Sequence, residues 1–404
     1  MNCPLCGEPS TDVVKLKCSD FDGSPLYQNI RIQSCNGCNH VFNELTDYEK
    51  RCLDLYYEQE SSVINISGAT KYGDLPGSDN ALSVARYERL FEFLSPYLDR
   101  EMKILDVGCG MGGFVRYLQN RMFSHAEGLD YVANYTVYAE KTGSGRFTTA
   151  SAYSLPFNDD YYDFLIIDHV LEHLVDPITA LKEVVRITKP GGMIFLGVPE
   201  SSRYREYPFF DFFWFCLREH IHHFDAAIIS FITSRMGLRQ VDQSLIFTEM
   251  MSNKMILPNY LSLFKKAKKP VNEGFSGSET LVAEIKKYVS IENAFLQQRQ
   301  SIIKNLIDQN AHVYVWGIGK EFFYLYANTD LNRCINLTLI DNNEVKQTTM
   351  KVNGHDIKAP SALRNATADA KLIVTAVAHS ESIMKDARML GFEGEVIMLD
   401  RGEQ

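Results

Sequence analysis

Three groups of residues in this sequence have the types and spacing to do chemistry. The first is a glycine-rich turn, ILDVGCGMGGF, at positions 104–114. Gly108, Gly110, Gly112 and Gly113 lack a Cβ, so a ligand can approach the backbone and positive φ is tolerated. Asp106 sits at the end of the apolar run before the turn. A second apolar run, Ala126 to Leu129, ends in Asp130, about twenty residues past the glycines, where an acidic side chain can hold ribose hydroxyls. The second group is Cys3-Pro-Leu-Cys6 and Cys35-Asn-Gly-Cys38, two C-x-x-C pairs separated by 28 residues. Four such thiolates can surround Zn²⁺ tetrahedrally, and a closed Cys₄ shell leaves no open position, so the metal is structural. Gly7 and Gly37 fit the tight turns that aim backbone amides at sulfur. Cys18 lies between the pairs and could replace one ligand, but reads as a bystander. The third group is rich in histidine: Asp168-His169, Glu172-His173, and Arg218-Glu219-His220-Ile221-His222-His223-Phe224 after an aromatic run at 209–215. Imidazole titrates nearest neutrality and suits proton transfer. The alternative for His169 and His173 is packing beside the glycine turn. For the segment from Arg218 to His223 it is a solvated loop or a second metal site.

These residues need elements to hold them. Lys103 to Val107 reads as a buried strand that feeds the glycine turn and then a helix. Ligands bind at such strand ends in open parallel α/β sheets. Leu165 to Ile167 is another apolar strand and ends at Asp168. Met193 to Val198 is a further one. Near the C-terminus the pattern recurs: a strand from His312 to Trp316, the turn Gly317-Ile318-Gly319-Lys320, a helix through Tyr326, and a strand from Leu337 to Ile340 that ends in Asp341-Asn342. Phe322 stands at the third glycine position there, which argues against a tight pyrophosphate clasp. Asp47 to Glu60 is helical and rich in tyrosine, and its Tyr56, Tyr57, Glu58 and Glu60 are either core and surface residues of that helix or a lid that reaches into the substrate site. Residues 68–78 read as loop. Asn80 to Leu98 carries apolar residues at helical spacing. Lys265, Lys266, Lys268 and Lys269, then Pro270, Gly274 and Gly277, mark a basic loop and domain boundary. Glu279 to Gln309 is a long amphipathic helix. The expected division is 1–45, a zinc ribbon; 46–100, a helical connector or lid; 101–262, the core with the glycine turn; 263–310, linker and long helix; and 311–404, a second α/β domain.

At 404 residues the chain is long for one core, and two or three domains are expected. A net charge of −10 argues against broad nucleic-acid binding, which needs a positive field. No run approaches the ~18 apolar residues of a membrane span. The opening MNCPLCGEPS lacks a basic segment followed by an apolar one, so no secretory signal is expected. Nine cysteines in such a chain suggest metal ligation or free thiols rather than disulfides. A cytoplasmic monomer or homodimer is the expectation.

Asp106, Gly108, Gly110 and Gly112 stand as D-x-G-x-G-x-G. Leu155-Pro156-Phe157, Tyr162-Asp163-Phe164, the strand to Asp168, Asp176-Pro177 and Lys189-Pro190-Gly191-Gly192 follow in order. In this the chain resembles class I S-adenosylmethionine-dependent methyltransferases. The resemblance implies a Rossmann-like core. It also implies S-adenosylmethionine held by Asp106, Gly108, Gly110, Gly112, Asp130, Ser151, Ala152, Asp168 and His169. Ser151 stands where an acidic residue usually binds the adenine amino group. With its paired cysteines, its Glu219-His220-x-x-x-Phe224 segment and a second Rossmann-like domain, the chain looks like the sugar C-methyltransferase family. Those enzymes act on nucleotide-linked 4-keto deoxysugars in glycan or natural-product synthesis. In that family the segment reads close to Y-H-E-H-L-S-Y-F. Glu219, His220 and Phe224 match, Leu217 replaces a tyrosine often taken as base, and His222-His223 replaces Ser-Tyr. A family histidine matches His173. Lys346-Gln347, Gly354 and Ala359-Pro360 match its C-terminal domain, whose implied use is to embrace the nucleotide. The reading that follows is C-methylation through an enolate, with His220 as base, Glu219 orienting it and His173 stabilising charge. The alternatives are an oxygen or nitrogen acceptor, an NAD(P)-dependent step at the second glycine turn, or a non-catalytic zinc-bearing scaffold.

Overall fold

The computed structural model describes residues 2–18, 25–58, 77–143, 145–250, 255–267, 277–399 and 401. Glu60, Gly68, Gly73, Pro76, Lys268, Lys269, Pro270 and Gly274, singled out in the sequence, lie outside the described residues. Three sheets organise the rest.

The central sheet has seven strands, ordered Leu238–Met250, Met255–Lys266, Thr188–Pro199, Tyr162–Asp168, Ile104–Val107, Ala126–Asp130, Phe147–Thr149. The last five are parallel; Met255–Lys266 runs antiparallel to both its neighbours. Ile104–Val107 is buried at every position, as a parallel strand covered on both faces must be. Helices cap themselves locally. The Asp176 side chain accepts from Thr179 N at 3.0 Å and Pro177 opens Pro177–Ile187, the arrangement that satisfies a helix start. Asn80 does the same for Ala81–Leu94 through Ser83 N.

Two expected boundaries move. Tyr87, Leu90 and Leu94 share one apolar cluster with Ile104, Phe114 and Leu118, so the helix Ala81–Leu94 belongs to the core that was placed from 101. At the other end Met255–Lys266 completes the central sheet past 262. There Lys266 donates to Asp160 and to the Thr188 carbonyl, each at 2.7 Å, so this lysine is structural and not part of a free basic loop.

The N-terminal sheet holds Ser10–Lys17, Asn29–Cys35, Val41–Asn43 and His222–His223, all antiparallel. Its fourth strand comes from the middle of the chain, with Val41 opposite His223 and Phe42 opposite His222. The segment expected as a loop or catalytic cluster is therefore partly a sheet edge, and residues 1–45 do not close on themselves.

The C-terminal sheet is ordered Lys351–Val352, His355–Lys358, Leu337–Ile340, Val313–Trp316, Lys371–Val374, Glu395–Met398, parallel except for the first strand. The long helix Leu281–Asp308 joins it to the rest. Its buried Glu292 accepts from Phe212 N at 2.6 Å and pairs with Arg401. Among the described residues no helix is long and apolar enough to cross a membrane.

Candidate functional site

The central sheet reverses its strand order between Ile104–Val107 and Tyr162–Asp168. That is where a ligand crevice opens in a doubly wound sheet. The glycine turn leaves the first strand, and Asp168 and His169 leave the second. The glycines prove to be demanded largely by protein contacts. At Gly108, φ is +81° and a Cβ would stand 2.3 Å from Val170 Cγ2; at Gly112, φ is +76° and a Cβ would meet the Phe147 ring at 2.6 Å. Gly108→Ala is expected to destabilise the protein by about 1–3 kcal/mol, read as a lower thermal midpoint, because strain at positive φ adds to that clash.

Carboxylates line this crevice. Asp130 accepts from Gly110 N at 2.8 Å and from Val132 N at 2.9 Å, so part of its capacity is spent clamping the turn. Asp106 is buried; burial, with Asp168 and Asp130 adding to it, pushes its carboxyl up to about 8. Asp168 is paired with Arg86. Arg86 was not found from the sequence, since one arginine on an amphipathic helix carries no signal of what it will meet. At the carboxyl end of Phe147–Thr149, Ser151 Oγ accepts from Tyr153 N at 3.2 Å and Ala152 packs against the main core.

Beside Asp168 lies a cluster of imidazoles and carboxylates. His169 holds φ +56°, a conformation uncommon outside glycine, and its Nδ1 is 3.1 Å from Glu172 Oε1. His173 Nδ1 is 3.0 Å from the Glu219 carbonyl and 3.1 Å from Tyr57 Oη. A carbonyl only accepts, so Nδ1 carries the proton. His220 enters from the other segment, its ring 4.7 Å from His173 and nearly perpendicular. Desolvation, then the neighbouring His173, hold the His220 imidazole well below its ordinary value, unprotonated at neutral pH. The Glu219 carboxylate does not orient His220 as expected. It turns to Lys320 Nζ at 3.3 Å, a residue of the second glycine turn. Burial opposes its charge, but Lys320 and then His220 outweigh that and hold Glu219 at about 2.

Residues 81–243 match the sequence model of a family described as a methyltransferase domain. Over that segment the chain is similar to the methyltransferase domain family. An uncharacterized methyltransferase of Schizosaccharomyces pombe is 34% identical over 115 residues, 25% of this chain and 41% of that protein. A demethylmenaquinone methyltransferase of Staphylococcus aureus is 38% identical over 99 residues, 23% of this chain and 41% of that one. The chain thus spans 41% of the length of either relative. A solved S-adenosylmethionine-dependent methyltransferase from Methanosarcina mazei is 20% identical, with a TM-score of 0.38, over 44% of this chain and 98% of that one.

Not every expected residue joins this cluster. His222 Nε2 donates to the Leu174 carbonyl at 2.9 Å, and its Nδ1 faces His40 Nε2 at 2.9 Å. His223 Nδ1 is 3.1 Å from Tyr204 Oη. Burial first of all lowers both, to about 4 and about 3, so they are neutral, structural imidazoles. Arg218 Nη1 donates to the Leu26 and Tyr27 carbonyls at 3.0 and 2.6 Å. Of that segment, His220 meets His173 and Glu219 meets Lys320. In the second α/β unit, Lys346 Nζ donates to the Ile318 carbonyl at 2.7 Å and lies 3.1 Å from Asp341 Oδ2. It pins the second glycine turn.

Away from these lie the four cysteines. One sulfur from each lies within 4.8 Å of the others; Cys3 and Cys38 sulfurs are 3.8 Å apart, Cys6 and Cys35 3.3 Å. Gly37 N and Cys38 N both point at Cys35 Sγ at 3.3 Å, and Leu5 N at Cys3 Sγ at 3.4 Å. Amides aimed at sulfur favour thiolate over thiol, which fits a metal. Cys18 is not among the four.

Proposed function

We propose that this chain methylates an acceptor seated between the turn at 168–173 and the segment at 217–220, and that the acceptor is a carbon of a nucleotide-linked keto sugar. The observation that carries this reading is the meeting of His173 and His220, from separate elements, beside the strand end that holds Asp168. Bound S-adenosylmethionine would supply a sulfonium methyl group. Its charge and ammonium group suit a crevice lined by Asp106, Asp130 and Asp168. On the acceptor side, an unprotonated imidazole such as that of His220 next to a weakly acidic C–H or O–H is what methyl transfer requires. Lys320 brings the second glycine turn to the same place, which supports a substrate long enough to touch both units, as a nucleotide sugar is. The four cysteines would hold a structural Zn²⁺ that fixes the N-terminal sheet.

One observation favours an oxygen or nitrogen acceptor. Leu217, at the family's tyrosine position, is apolar and packs against the core. Tyr57 brings a phenol in from another helix, 3.1 Å from His173 Nδ1, and offsets that loss. Mass spectrometry of product after deuterium exchange at the carbon beside the ketone separates the cases. Retention of every exchanged deuterium would overturn the carbon acceptor. S-adenosylhomocysteine binding by calorimetry tests the donor, and absence of binding would overturn the whole reading.

Asp106 gives this reading a pH signature. Its folded value of about 8 means that it holds a proton at pH 7. The sulfonium and ammonium of S-adenosylmethionine favour the ionised form, so its binding is expected to release that proton. S-adenosylmethionine affinity is expected to rise with pH up to about 8, at most tenfold per unit, and that of the uncharged thioether product less steeply. Calorimetry in two buffers of different ionisation enthalpy should read proton release at pH 7, and Asp106→Asn should abolish it.

A further inference from the structure

Glu172 is the least satisfied charged group near the site. Its side chain is 1% exposed, and neither carboxylate oxygen receives a hydrogen bond. His169 Nδ1, 3.1 Å from Oε1, is the nearest imidazole beside it on its own turn. A buried carboxylate without donors is costly, and a cation is the partner that removes the cost.

Two imidazoles complete a ligand set. One ligand atom each from Glu172, His173 and His220 lies within 4.8 Å of the others. His173 presents the right atom. Its Nδ1–H is given to the Glu219 carbonyl at 3.0 Å, which leaves the lone pair on Nε2, 3.9 Å from Glu172 Oε1. Metal-binding histidines are oriented by such an outer hydrogen bond. His220 Nδ1 is buried and unpartnered, and arrives from a different element. Glu219 stays out of the set because Lys320 holds its carboxylate. Calcium and magnesium prefer all-oxygen shells. Two imidazoles and a carboxylate suit a borderline transition ion, Zn²⁺ foremost, and leave a coordination position open.

We propose that Glu172, His173 and His220 bind a divalent transition-metal ion, with its open position toward the acceptor. The use of that ion rests on the methyltransferase reading given above; its binding does not. Bound there, it would take the lone pairs of His173 and His220, so those rings would serve as ligands and not as the base, and the ion would hold an acceptor oxygen and stabilise the negative charge that grows on it.

The full chain, saturated with Zn²⁺ and desalted, is expected to carry two ions by plasma emission, one on the cysteines and one here. Glu172→Gln and His173→Gln are each expected to carry one. Co²⁺ substitution keeps the test independent of how well the variants fold. In the wild-type protein the thiolate site gives strong sulfur-to-metal absorption, and the proposed site adds weaker ligand-field bands without it. One ion showing only the thiolate bands overturns the proposal, as does retention of two ions in both variants. S-adenosylhomocysteine calorimetry on the same samples judges the methyl-donor reading separately. Binding of the nucleoside with a single, cysteine-held ion overturns this site alone.

Discussion

His220→Gln is expected to slow single-turnover methyl transfer by about 10²-fold or more, the usual worth of a positioned proton-transfer or charge-stabilising group. S-adenosylhomocysteine affinity should change much less than this, because the glycine turn, Asp106 and Asp130 are left unaltered. Glutamine keeps much of the volume of the side chain and its hydrogen-bonding capacity. What it removes is the unprotonated ring nitrogen that desolvation and His173 maintain in His220. His222→Gln is the control two residues on. That ring serves Leu174 and His40, so its loss should appear as about 1–3 kcal/mol of stability and not in the methyl-transfer step of the folded protein. Rapid-quench measurement with saturating donor reads the first effect and thermal unfolding the second. A loss of only a few-fold in His220→Gln would sink the assignment of this cluster to the acceptor.

That contrast also marks what was legible in the sequence. The glycine turn and the strands around it were readable because buried parallel strands are continuous apolar runs, and a turn at positive φ needs glycine. The cysteine pairs were readable because ligand spacing is local. The second α/β unit announced itself by repeating the strand–turn–helix order. The histidine segment was not separable into parts. Arg218, His222 and His223 read as chemistry, yet they are consumed by Leu26, Tyr27, His40 and Tyr204. Nothing local records that residues 41–43 will pair with 222–223 across the chain. The same blindness hid Arg86 and misassigned Glu219, whose partner Lys320 lies 101 residues away. Composition says that charges and imidazoles are present; long-range packing decides which are spent on structure and which are left over. Among the described residues, both Glu172 oxygens and His220 Nδ1 are left over, and they meet beside His173.

The shared sheet edge leads to the second large effect. Cys35→Ser removes one proposed zinc ligand, the one toward which both Gly37 N and Cys38 N point. A structural zinc supplies folding free energy directly. Its loss should therefore loosen Val41–Asn43 and, with it, the paired His222–His223. His220 sits two residues before that pair, and Tyr27 and Arg218 are bonded across the same seam. Methyl transfer is then expected to fall by about 10²-fold or more although no group at the acceptor has been altered, since small misplacements of a catalytic group cost that much. The glycine turn belongs to another sheet, so S-adenosylhomocysteine should still bind, within about threefold of the wild-type affinity. Hydrogen exchange should speed up at 222–223 and stay slow at 104–107. Zinc content, exchange and calorimetry on one preparation test the chain of cause from end to end. Undiminished turnover in a zinc-free Cys35→Ser protein would show that the N-terminal sheet does not hold the acceptor side in place.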